Sequence, residues 1–151
     1  MSLKAPVEST ARWLGRAGLM PFVALPCALA LDSGRSVLWQ KTLGAYAFGI
    51  LCFLLGAWWG LALVKRHPFI LVLSNVLFLA LVASFVTLSG TGLYLATAAM
   101  FAVMVMVERR HALFKPQPDY YARLRAQLSL VASVALCVAA IVSWSPDLQP
   151  N

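Results

Sequence analysis

The chain has 151 residues, of which 62% are hydrophobic and only 11% charged. An ordinary soluble domain carries about 25% charged residues, so the composition excludes that class and points to a membrane protein of one compact domain. The net charge of +7 sits between apolar spans instead of along a soluble face, which sets aside nucleic acid and favours the lipid bilayer, with its anionic headgroups, as partner.

Met1 to Thr10 is polar and contains Pro6, which predicts an irregular tail, with the cytoplasmic segment ending near residue 12. The first span is expected over about 13–31, with Arg16 extended to the headgroups and Pro21 and Pro26 bending the helix. Ala28-Leu29-Ala30 has the form of a signal-peptidase site, but the two prolines interrupt the apolar run and favour a retained, kinked span. Asp32 to Ser36 is turn-forming.

The second span is expected over about 42–64 and is read as the centre of the bundle. Ala45, Gly49, Cys52, Gly56 and Gly60 recur at spacings of three and four, so they share one helix face. Gly56 and Gly60 form a GxxxG pair, which lets a second backbone approach closely. Successive residues point about 100° apart, so of Trp58 and Trp59 one is expected to face lipid and the other the bundle.

Lys65-Arg66-His67-Pro68 closes this span and opens a third, about 69–88. Asn75, with Ser74 beside it, is expected in the polar interior, its amide bonded to a neighbouring helix. Tyr46 is placed there too. After the turn at Ser89 to Gly92, a short fourth span covers about 93–107 and ends at Glu108-Arg109-Arg110-His111. Asp119 is placed to cap the fifth helix, whose span covers about 126–144. Ser129, Ser133 and Cys137 give that helix its own small-residue face, a packing partner for the one on the second span. The cysteines, Cys27, Cys52 and Cys137, lie in apolar spans and are read as small hydrophobes.

The expected fold class is therefore all-α: an integral membrane five-helix bundle with its termini on opposite sides. Ten cations, Lys4 to Arg125, fall on one side and only Arg35 and Lys41 on the other. The positive-inside rule then makes the N-terminus cytoplasmic and the C-terminus periplasmic, in a bacterial inner membrane.

No acidic residue lies within a span, where ion-coupled transporters keep theirs. No HExxH, Walker loop or GxSxG occurs, and no catalytic, metal or cofactor site is expected. His67, His111 and Glu108 lie at neighbouring helix ends, where they could gather into a metal or headgroup cluster; a solvated interfacial role is preferred. Arg16, Lys65, Arg66, Arg109, Arg110, Arg123 and Arg125 are read as topological, with anionic lipid contact as a second role.

Three groups of residues resemble the transmembrane-protein-69-like family, bacterial membrane proteins of unknown function with a mitochondrial relative. Leu14 to Phe22 is similar to its opening glycine and Pro-Phe motif. Ile50-Leu51-Cys52-Phe53-Leu54, Gly56, Trp59 and Gly60 resemble its central signature, with Trp58 where histidine is usual. Tyr121 to Arg125 resembles its closing Tyr-x-x-Leu-Arg. The resemblance implies a five-span membrane protein with no assigned activity, and indole at position 58 does not coordinate metal as imidazole does.

The function expected is that of a non-enzymatic scaffold, accessory or assembly component, in which a surplus small-residue face serves a homodimer or another membrane protein. The alternative is a small oligomeric transporter or channel for a neutral or anionic solute. Headgroup chemistry at Glu108 and His111 is a third and weaker reading.

Overall fold

The computed structural model describes residues 4–115 and 119–144. Six helices account for almost all of them: α1 Lys4–Ala17, α2 Met20–Leu31, α3 Ser36–Val64, α4 Pro68–Thr87, α5 Gly90–Arg110 and α6 Asp119–Trp144. Together they supply five stretches long and apolar enough to cross a membrane, α1 and α2 jointly giving the first from Glu8 to Leu31.

Helix starts earlier than the polar composition predicts. α1 begins at Lys4, and Glu8 and Arg12 pair one turn apart on it. The chain breaks at Gly18–Leu19, just ahead of Pro21, which enters the first turn of α2, where its missing N–H costs nothing. Pro26 is accommodated inside α2 and buried. Two of the other spans also outrun their expected limits. α3 begins two turns before Thr42 and α5 has 21 residues instead of a short span, whereas α6 begins at Asp119, where the helix start was expected, with that side chain outside the described residues.

The hinge between α3 and α4 has a local explanation. Arg66 takes a positive φ of 53°, His67 N–H reaches back to Ala62 O and Arg66 N–H to Leu63 O. This is the Schellman pattern, here with arginine where glycine is usual. His67 Nδ1 then accepts from Ile70 N–H at 3.5 Å, and Pro68 opens the helix.

α3 packs against α4, α2 and α5, while α6 packs chiefly on α5 and α2. The centrality expected of the second span therefore holds, but its packing face does not. The buried face of α3 is Leu43, Gly44, Ala47, Leu51, Leu55, Trp58 and Ala62. Ala45, Gly49 and Gly56 are exposed, Cys52 and Gly60 half-buried. A Cβ added to Gly49, Gly56 or Gly60 would meet nothing within 4 Å. Leucines fill the volume between helices, so the small residues turn outward and the α3 and α6 faces do not pack on each other. On α6, Ser129 is buried, Ser133 donates to Ala98 O of α5, and Cys137 is exposed.

Phe22, from the Pro-Phe pair, stands edge-on to Tyr46 at 5.1 Å and to Phe101 at 5.9 Å, joining α2, α3 and α5. Facing outward are large apolar side chains such as Phe53 on α3 (73% exposed) and Ile141 on α6 (72%).

Candidate functional site

The polar chemistry collects where α3 and α5 end and α6 begins. Trp58 points inward at 2% exposure while Trp59 is 45% exposed, the division the helix geometry predicts. Trp58 Nε1–H donates to Glu108 Oε1 at 2.7 Å. Arg125 of α6 pairs with both oxygens of the same carboxylate, its Nε–H at 3.4 Å from Oε2. The two charged side chains are only 14% (Glu108) and 11% (Arg125) exposed. A carboxylate removed from water needs a counter-charge and further donors, and the guanidinium fork and the indole supply both.

The loop after α5 closes over this group. Phe114 lies against Trp58, with centroids 5.1 Å apart, and Lys65 Nζ donates to Leu113 O at 2.6 Å. His67 and His111 meet edge to face at 4.7 Å. His111 Nδ1 accepts from Leu113 N–H at 3.2 Å, as His67 Nδ1 does from Ile70. Each imidazole thus holds a local turn. Glu108 is turned to Arg125 and Trp58 instead of joining a cluster with the histidines.

The expected polar interior is redistributed. Tyr46 OH donates to Gly18 O at 2.7 Å, satisfying a carbonyl freed by the α1–α2 break. Ser74 is buried and donates to Leu71 O within its own helix. Asn75 is exposed, and its amide also goes to Leu71 O, at 2.8 Å. Its helix already offers a carbonyl one turn back, so the neighbouring-helix bond expected from sequence is not made.

Of the cations read as topological, Arg125 is half-buried in its pair with Glu108 and Lys65 is a loop clamp. Arg16, Arg66, Arg109, Arg110 and Arg123 are exposed. Arg12 lies with its guanidinium carbon 5.5 Å from the centre of the Tyr120 ring, tying α1 to α6. Sequence reasoning missed the Glu108–Arg125–Trp58 group. The available signal was a single acid among cations, at the end of a span that also faces an unusual tryptophan.

These features define a class: an all-helical bundle with five helices long and apolar enough to cross a membrane, pinned at one end by a largely, not fully, buried ion pair. The chain belongs to the family described as "Protein of unknown function (DUF3429)", which matches residues 7–141. The match takes in α2 to α5 whole, most of α1 and all but the last turn of α6. No curated protein and no solved structure matches the chain.

Proposed function

We propose that the chain is a multi-pass inner-membrane protein that works as a non-enzymatic accessory or assembly component, binding other membrane proteins or lipid. The observation that carries this reading is the outward face of α3. Gly49, Gly56 and Gly60 present bare backbone, and a Cβ added to any of them would meet open space. In hydrocarbon, close backbone approach is a main source of helix association. Asn75 on the adjoining α4 is exposed with an amide oxygen to offer a partner helix.

Transport is favoured less, since Tyr46, Ser74, Asn75 and Thr87 each donate to a backbone carbonyl and do not converge on one path. Headgroup chemistry is favoured less too, because both oxygens of Glu108 are engaged. The finer likeness to the transmembrane-protein-69-like family fits here. The usual histidine at position 58 has a ring N–H to give Glu108, as indole does. The basic end is read as cytoplasmic and Asn151 as periplasmic.

The test is crosslinking in a variant lacking Cys27, Cys52 and Cys137. Gly56→Cys should give intermolecular adducts in membranes, and Ser133→Cys, which packs on α5, should not. Monomers alone at both positions would overturn the reading.

A further inference from the structure

Two cavities of different chemistry adjoin at the cleft between α1 and α6. The cationic one, about 410 Å³, is lined by Arg12, Arg16, Tyr120, Arg123, Leu124 and Gln127. The apolar one, about 340 Å³, is a groove open to the surface, with walls that include Leu19, Phe22, Ile50 and Leu128 and the outward-facing Leu14 and Phe53. Leu124 belongs to both walls, so a cationic mouth stands beside an apolar chamber. Gly15 sets the closeness of α1 to α6, since a Cβ there would lie 2.9 Å from Leu128 Cδ1.

The cations at the mouth are not equivalent. Arg12 is paired with Glu8 and lies over Tyr120. Arg16 and Arg123 have no carboxylate partner among the described residues. Guanidinium groups bind phosphate through paired N–H donors, and the phenol of Tyr120 and the amide of Gln127 add neutral ones. The neighbouring chamber is lined mainly by apolar side chains. Its one cation, Arg125, is committed to Glu108. Its volume lies in the range of small-molecule sites, about 300–1,000 Å³. A phosphate alone would leave this chamber unused, and a hydrocarbon chain alone would leave the cations without an anion.

We propose that this cleft is a specific site for an anionic phospholipid, with its phosphate at Arg16 and Arg123 and one acyl chain in the chamber beyond Leu124. The assignment rests on the membrane reading above. It is narrower than a general attraction of basic helix ends to lipid, because it names one cleft. A second groove between α5 and α6, about 660 Å³ and lined in part by Arg109 and Arg110, provides the internal control.

The experiment uses the purified full chain in mild detergent, titrated separately with phosphatidylglycerol, phosphatidylcholine and inorganic phosphate. Retained lipid is counted by native mass spectrometry and the thermal shift is recorded in parallel. Phosphatidylglycerol should bind saturably, at about one per chain and at least tenfold more tightly than phosphatidylcholine, and inorganic phosphate should give no shift. Arg16→Gln with Arg123→Gln should weaken phosphatidylglycerol about tenfold or more, as expected for the loss of charge-assisted bonds. Ala11→Phe, at the chamber wall, should weaken it with every cation kept. Arg109→Gln with Arg110→Gln removes the same charge and should change little. Equal losses in the two double variants, equal binding of the two lipids, or a full response to phosphate would each overturn the proposal. A chain that stays in solution without detergent would instead overturn the membrane reading beneath it.

Discussion

The two ends of the bundle are held by different chemistry. At one end α3, α5 and α6 meet through a buried carboxylate, a guanidinium and an indole, and Lys65 clamps the loop at Leu113. At the other, neutral groups make the links. Tyr94 OH donates to Gln40 O at 3.1 Å and Thr91 Oγ1–H to Ala140 O at 3.2 Å. Both ends tie the same helices, α3 to α5 and α5 to α6. A buried ion pair fixes its partners strongly and fails badly when one is removed, whereas a hydroxyl-to-carbonyl bond is a modest and separable increment. The end crowded with cations is therefore also the end where a single substitution should do most harm.

The largest effect should come from Arg125→Ala, which leaves Glu108 buried without its counter-charge. A loss of about 3–5 kcal/mol is expected, measured as reversible unfolding in mixed micelles. Replacing the pair together, Glu108→Leu with Arg125→Met, should recover much of that loss, since hydrophobic residues of similar volume often substitute well for a buried pair. Trp58→Phe comes next. It keeps the ring contact with Phe114 but withdraws the indole donor from Glu108, and about 1–3 kcal/mol should be lost. If Trp58→Phe cost nothing while Arg125→Ala cost the full amount, the indole would be a filler and the ion pair alone would hold this end. Across the bundle, Tyr94→Phe should cost only about 0.5–1.5 kcal/mol.

What the sequence made legible follows from the range of the forces involved. Hydropathy is summed along the chain, so the number of helices long and apolar enough to cross a membrane needed no tertiary knowledge. The opposite aim of Trp58 and Trp59 is likewise local geometry. The early start of α1 and the extra turns of α3 and α5 were not legible, because polar residues at a helix end reveal nothing of the neighbours that hold them. The face of α3 was misread for a related reason. Small residues and leucines recur on it with the same spacing, and only the leucines' partners decide which face turns inward. Glu108 was legible as a charge at a span end, but its burial depends on Arg125, which is 17 residues away in sequence and on another helix.

Glycine substitutions along α3 sharpen the comparison at its smallest scale. Gly44, near the neutral end, is buried, and a Cβ there would lie 2.9 Å from Leu93 Cδ2. Leu93 is itself buried and has little room to turn, so Gly44→Ala should cost about 1 kcal/mol or more. Gly60, near the basic end, has nothing within reach of a Cβ. In an isolated chain, Gly60→Ala should stabilise the helix by roughly 0.5–1 kcal/mol, because alanine loses less backbone entropy than glycine. The same change measured in native membranes should reverse sign if a partner helix rests on that face, since the added methyl would hold the two backbones apart. Unfolding in dilute micelles, set beside the fraction recovered as a complex from membranes, separates the two contributions. A gain in both would show the face meeting only lipid, and the α3 glycines would then carry no partner.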